Sequence, residues 1–184
     1  MIGIEPLKLI YLEFYYSILP YRFIYEYEDG TKKILTFKEQ DIIHQLGLDR
    51  LNKYKIMKDK KMPGVASIAL SHLKNGKITM DMIHKDNQKA VILSKVEEYR
   101  FITALLGDTK TEHYKFDHQK VPCDIPATYL LYDKQKNTHF HFGSITTTGD
   151  EVSPMTWFIE NERPEKYIKN QDRINVKRII IELI

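Results

Sequence analysis

The fold class is decided by the late stretch TYLLYDKQKNTHFHFGSITTTGDEVSPMTWFIE, residues 128–160. Its segments Thr128–Asp133, Thr138–Thr146 and Met155–Glu160 are rich in β-branched and aromatic residues, a composition that favours strands. The polar residues 134–137 separate the first two segments as a turn. Outside this stretch, Tyr114–Asp117 and Val176–Ile184 have the same composition, so we predict a sheet that occupies the C-terminal part of the chain.

The N-terminal part of the chain has mostly helical patterns. Pro6 opens a predicted helix that ends near Ile18, and a helix from Lys38 to Leu48 has Gly47 at its closing position. Between them, the alternating strand Tyr21–Tyr27 and a second strand predict a hairpin around an Asp-Gly turn. The clearest helix spans residues 87–106, with apolar residues spaced by three and four: Ile92, Val96, Tyr99, Ile102 and Leu106.

Helices that come early and strands that run together late favour an α+β fold over a doubly wound one. We predict N-terminal helices and a hairpin packed with a central helix on a C-terminal antiparallel sheet. The length of 184 residues suits a single domain over residues 1–184.

The composition excludes several classes of protein. Hydrophobic residues make up 42% and charged residues 29%, which is ordinary for a globular protein. No run approaches the ~20 apolar residues of a membrane helix, and no secretory signal pattern is present. Cys123 is the one cysteine, so no internal disulfide can form. We expect a cytoplasmic protein with no membrane partner.

Two basic segments stand out against a net charge of only +3. Residues 53–61 contain five lysines, and residues 163–178 contain Arg163, Lys166 and Lys169 among six basic side chains. Such segments can follow the phosphates of a nucleic acid. A solvated loop and a solvated face are the alternative explanation.

Standard cofactor motifs are missing from the sequence. It has no Gly-rich phosphate loop, no HExxH, no cysteine pair and no GxSxG. His139 and His141 are two apart on a predicted strand, which puts them on one face. They can form the wall of an active site, bind a metal if a third ligand exists, or lie at a solvent-facing strand edge. We expect no cofactor and no metal.

Two further places carry chemistry-bearing side chains. His44 lies near the closing end of its predicted helix, where it can be functional or can stabilise the helix terminus and core. In residues 153–158, SPMTWF, a hydroxyl beside two aromatic rings can contact a phosphate or a base. The alternative is the start of a strand with one of the two rings in the core.

Three segments together resemble one known family. They are the hairpin strand ending in Phe37 that runs into His44-Gln45-Leu46-Gly47-Leu48, the segment Ser153–Glu160, and Lys166-Tyr167-Ile168 followed by Gln171. The layout resembles the phage-associated barnase–EndoU–colicin–RelE-like nuclease domains, in particular the fourth such family, over residues from about Tyr21 onward. Those domains carry Phe…His-Leu-X-Gly-Leu, X-Pro-X-Ser/Thr-Phe-Phe and a late Tyr-Ile…Gln. Here Gln45 replaces Leu and Trp157 replaces Phe.

The resemblance implies helices on a four- or five-stranded antiparallel sheet, and a metal-independent ribonuclease-like toxin or effector of a phage or mobile element. Cleavage needs a base, an acid and a charge-stabilising cation. We assign the acid–base role to His44, with His141 as the second choice for the acid. The remaining roles are phosphate binding by Thr156, charge stabilisation by Lys166 or Arg163, and substrate contacts by Gln171, Ser153, Trp157 and Lys169.

The alternative function is a non-catalytic binding protein, such as a phage-encoded inhibitor or adaptor. It would hold a protein or nucleic acid through a basic, aromatic surface. An enzyme requires His44 and Thr156 to converge in one cleft, whereas a binding protein does not. RNA and a cognate antitoxin are the expected partners, and the oligomeric state is left open.

Overall fold

A computed structural model describes residues 5–121, 123, 125–135, 137–163 and 165–184. Its described part contains seven α-helices, one short 3₁₀ helix and eight strands, which confirms the α+β class. The helices are α1 Pro6–Ser17, α2 Asp41–Leu46, the 3₁₀ helix Leu48–Arg50, α3 Asn52–Asp59, α4 Val65–Lys74, α5 Met80–His84, α6 Lys89–Glu97 and α7 Phe101–Gly107. The strands are β1 Tyr21–Tyr27, β2 Lys32–Leu35, β3 Glu112–Lys115, β4 Tyr129–Gln135, β5 Thr138–Thr148, β6 Glu151–Ile159, β7 Asp172–Ile174 and β8 Val176–Leu183.

The helix ends follow the local sequence. Pro6 occupies the first turn of α1, where its missing N–H costs nothing. Gly47 closes α2 in the left-handed conformation, with φ of 69°. Thr79 caps α5 by accepting a hydrogen bond from the Met82 N–H at 3.3 Å.

All eight strands form one sheet in the order β7-β3-β4-β5-β6-β2-β1-β8. Neighbouring strands are antiparallel, except that β2 runs parallel to β6. The hairpin β1–β2 is therefore part of the sheet, and the sheet is larger than the four or five strands that the family resemblance implies. Short β7 was not predicted, because Asp172-Arg173-Ile174 has no apolar alternation.

The C-terminal chain meets both edges of the sheet. β7 pairs with β3 at one edge, and β8 pairs with β1 at the other, although only Asn175 separates β7 from β8. At this junction the Glu28 N–H donates to the Asn175 carbonyl at 3.0 Å. The Tyr27 hydroxyl on β1 lies 3.1 Å from His113 Nδ1 on β3, and this buried contact links the two strands. The sheet therefore curls round on itself.

The prediction of a single helix over residues 87–106 is wrong. The helix predicted over residues 87–106 is two helices, α6 and α7, with a turn at 98–100. The apolar spacing does not indicate the break between α6 and α7, because Tyr99, inside the turn, is buried and continues that spacing. The lysine-rich segment 53–61, for which a solvated loop was the alternative to phosphate binding, is mostly helix α3. Residues 165–170 form turns.

The chain divides into two compact units. The helical unit comprises the described residues up to Leu19 together with Lys38–Arg100, and so contains α1 to α6. The sheet unit comprises Pro20–Phe37 and Phe101–Ile184, and so contains α7 and all eight strands. The single-domain expectation stays a prediction.

Candidate functional site

In the helical unit, a tight reversal of the chain brings His44 onto Asp49. The left-handed Gly47 ends α2, and its N–H donates to the His44 carbonyl at 3.0 Å. The 3₁₀ helix then returns the chain over the last turn of α2. As a result, His44 Nδ1 lies 3.1 Å from Asp49 Oδ2, five residues further along the chain.

The Asp49 carboxylate is held ionised. Burial by itself would raise its pKa, but the hydrogen bonds from His44 and Lys58 outweigh burial and lower the pKa to about 2. An ionised carboxylate only accepts hydrogen bonds, so Nδ1 of His44 carries the proton. In the neutral imidazole, Nε2 is then the nitrogen that can accept a proton. The His44 side chain is 43% exposed and that of Asp49 only 12%.

Two lysines, Lys58 and Lys95, lie near the His44–Asp49 pair. Lys58 Nζ, on α3, donates to Asp49 Oδ2 at 2.5 Å and remains partly exposed. Lys95, on α6, is only 3% exposed. Burial, together with the positive charge of Arg50, lowers the pKa of Lys95 to about 7, although Asp49 opposes this effect. The cluster thus combines a titratable imidazole, its orienting carboxylate and an accessible cation.

Gln45 follows His44 but has the opposite environment. Its side chain is fully buried, and within the described residues no hydrogen bond reaches its amide oxygen or nitrogen. This is the position at which the resembled family carries Leu. Its burial shows that the position belongs to the core, which explains why an apolar residue suits it.

The other site residues named from the sequence lie in the sheet unit. His141 is fully buried on β5, and its ring stacks on Phe158 with centroids 4.8 Å apart. Tyr167 packs against both rings, and Lys166 Nζ lies 4.8 Å from the centroid of the Tyr167 ring. The structure therefore brings His141 and Lys166 into one aromatic cluster through Tyr167.

The residues of β6 have different environments. Trp157 is fully buried and stacks with Phe140 at a centroid distance of 6.5 Å. Thr156, partly buried, donates to the Trp157 carbonyl at 3.3 Å and lies opposite Gly143 of β5. Ser153 is partly buried opposite Ile145. In this structure Trp157 is a core side chain, and its role as a substrate contact stays a prediction.

The last predicted residues follow β6. Arg163 and Lys169 are exposed. Gln171 forms a double tether to Asp117: the Asp117 N–H donates to Oε1 of Gln171 at 2.8 Å, and Nε2 of Gln171 donates to the Asp117 carbonyl at 3.2 Å. Both groups of its amide are thus engaged in holding the turn at Asp117 to the segment before β7.

His44 belongs to the helical unit and Thr156 to the sheet unit. Their convergence in one cleft stays a prediction.

The sequence pattern did not predict that Asp49, Lys58 and Lys95 belong to the same cluster as His44. One signal was present: Gly47 between a histidine and an aspartate allows a reversal that returns the chain to the helix end.

His139 and His141, the pair considered for a metal, have other partners. His139 Nδ1 lies 2.7 Å from the Tyr132 hydroxyl, and His141 lies among aromatic rings. Over the described ranges, no group of three or more His, Cys, Asp or Glu side chains is arranged to hold a metal ion.

Comparison of the chain with models of known families, with curated proteins and with solved structures found no match. Among the residues described here, no helix is long and apolar enough to cross a membrane.

Proposed function

We propose that this protein is a metal-independent ribonuclease with His44 as its acid–base group, related to the phage-associated nuclease domains that its motifs resemble. The contact between His44 Nδ1 and the ionised Asp49, beside Lys58, is the observation that carries the proposal. A carboxylate on one imidazole nitrogen fixes the tautomer and leaves the other nitrogen for the substrate.

In this reaction, Nε2 of His44 takes the proton of an RNA 2′-hydroxyl. The 2′-oxygen attacks the adjacent phosphorus, the bond from phosphorus to the 5′-oxygen breaks, and the departing 5′-oxygen takes the proton from the His44 imidazolium, which restores the neutral base. The products are a 2′,3′-cyclic phosphate and a free 5′-hydroxyl. The Asp49 carboxylate stabilises the imidazolium that forms on His44, and the Lys58 ammonium stabilises the negative charge of the phosphorane.

The other assigned roles remain part of the proposal. They are phosphate binding by Thr156, charge stabilisation by Lys166 or Arg163, a second acid at His141, and substrate contacts by Ser153, Trp157, Lys169 and Gln171. An RNA substrate, a cognate antitoxin and a cytoplasmic location accompany the proposed function.

The test is RNA cleavage in excess chelator by the wild type and by His44→Ala. We expect His44→Ala to cleave on the order of 10²- to 10⁴-fold more slowly, because it loses the proton-transfer group. Asp49→Asn should also slow cleavage, because the amide no longer fixes the Nδ1–H tautomer. Circular dichroism establishes that each variant is folded.

His84→Ala is the matched control. His84 is an exposed histidine at the end of α5 in the same unit, so its loss should leave cleavage unchanged. Equal cleavage by His44→Ala and the wild type would contradict the assignment of His44. If the wild type cleaves no RNA, the ribonuclease proposal fails.

A binding function is the second candidate, and α3 favours it. This helix and the turn after it present solvent-exposed lysines that can neutralise phosphates: Lys55, Lys58, Lys60 and Lys61. Salt-dependent RNA binding by a wild type without cleavage activity, retained in His44→Ala, would support this function in place of catalysis.

A further inference from the structure

Strand β8 lies at an edge of the sheet. Within the residues that the structure describes, it pairs with β1 on one side and has no strand on the other. An edge strand presents backbone N–H and C=O groups that can pair with another strand. Natural proteins shield such edges, so an uncovered apolar edge indicates a partner.

The apolar side chains of β8 are covered much less than those of β1. Phe23 on β1 is buried, whereas its cross-strand partner Ile181 is 50% exposed. Leu183, on the same face as Ile181, is 72% exposed. Ile181 and Leu183 are therefore exposed because they lie at the edge of the sheet, and a further strand paired with β8 would bury part of their surface.

On the other face, β8 carries charges of opposite sign on either side of Ile180. Arg178 lies opposite Glu26 and forms a salt bridge with it at 2.9 Å. Glu182 lies opposite Arg22, and these two also form a salt bridge. The positive charge of Arg178 thus lies two residues before Ile180, and the negative charge of Glu182 lies two residues after it.

We propose that β8 pairs antiparallel with β8 of a second copy of this chain, about a two-fold axis at Ile180. In this register, Arg178 of each copy lies opposite Glu182 of the other, and Ile179 lies opposite Ile181. Each row then reads Arg22, Glu182, Arg178, Glu26 across four strands, so the charges alternate in sign. Opposite charges directly across an antiparallel pair stabilise it.

The self-complementary charge order selects a second copy over an unrelated strand. A two-fold interface requires that residue i meets j and that j meets i. Arg178 and Glu182 satisfy this requirement about Ile180, and the exposed Ile181 and Leu183 gain cover at the same time. The pairing joins the two sheets edge to edge into one.

The experiment is sedimentation equilibrium of purified chains over a range of concentrations. We expect the wild type to dimerise. Arg178→Glu and Glu182→Arg should each weaken the dimer by about tenfold or more, because each places like charges opposite each other twice. An equal mixture of the two variants should dimerise again, because the two glutamates of one copy, at positions 178 and 182, then meet the two arginines of the other.

Lys134→Glu is the control, since Lys134 is exposed on β4 of the same unit, and β4 does not neighbour β8 in the sheet. It should dimerise as the wild type does. The intramolecular salt bridges lost in the variants join side chains that are 29–61% exposed, and ion pairs at the surface contribute little to folding. Circular dichroism establishes that each variant is folded. A wild type that stays monomeric overturns the proposal, and leaves β8 as an edge for a different strand. A mixture that fails to dimerise overturns this register.

Discussion

His44 and Gln45 are neighbours whose side chains have opposite environments. His44 reaches solvent beside Asp49, whereas Gln45 is fully buried with no hydrogen-bond partner among the described residues. A buried amide without partners loses its hydration and gains nothing in return. The buried amide of Gln45 therefore costs stability at this position.

We predict that Gln45→Leu raises the free energy of unfolding by about 1–2 kcal/mol, since it removes an unsatisfied amide and keeps the side chain's approximate size. Urea denaturation measures the change. Gln45→Glu is the matched comparison and should destabilise the protein, because it buries a carboxyl in the same space. A loss of stability in Gln45→Leu would contradict the absence of a partner for the amide.

At the scale of elements, the reversal from α2 to the 3₁₀ helix depends on Gly47. Its φ of 69° is a conformation that other residues adopt at a cost of about 1–2 kcal/mol. We predict that Gly47→Ala loses about this much stability and also slows the proposed RNA cleavage, because Asp49 shifts from His44. Denaturation and cleavage assays measure the two effects.

Gly64, at the start of α4, has the same φ of 69° and supplies the comparison. Gly64→Ala should lose similar stability but keep cleavage activity, because it does not hold the His44–Asp49 contact. If Gly47→Ala keeps full activity, the geometry of the reversal is not needed for the proposed reaction.

The elements with a strong local signal were predictable. Helix α1, the hairpin, Gly47 as the closing residue and the late strands agree with the patterns of apolar residues and turn residues. The break between α6 and α7 was not, because neither Gly nor Pro marks it and Tyr99 continues the spacing. In the same way, the sequence singled out His44 but not Asp49, since the contact depends on a fold of the chain that periodicity does not encode.

At the scale of the whole molecule, the chain passes between the two units three times, after residues 19, 37 and 100. Each unit is assembled from two separate segments, so neither can be completed from one continuous piece. The single-domain prediction therefore has a direct test in the cooperativity of unfolding.

We predict that the two units unfold together. Trp157, the only tryptophan, reports on the sheet unit by fluorescence. Far-ultraviolet circular dichroism in the helix band reports mainly on α1 to α6 of the helical unit. In urea, the two signals should give one midpoint. Separate midpoints would establish two independently unfolding domains.

The C-terminal segment supplies both edge strands, β7 and β8, so the two edges of the sheet are completed late in synthesis. On the ribosome, β1 and β3 are made long before β8 and β7, their partners in the late C-terminal segment. Until that segment emerges, the nascent chain exposes two unpaired edges and their apolar residues. Such edges are where growing chains aggregate or recruit chaperones. A ribosome stalled after β6 would therefore carry a sheet that is built but still open.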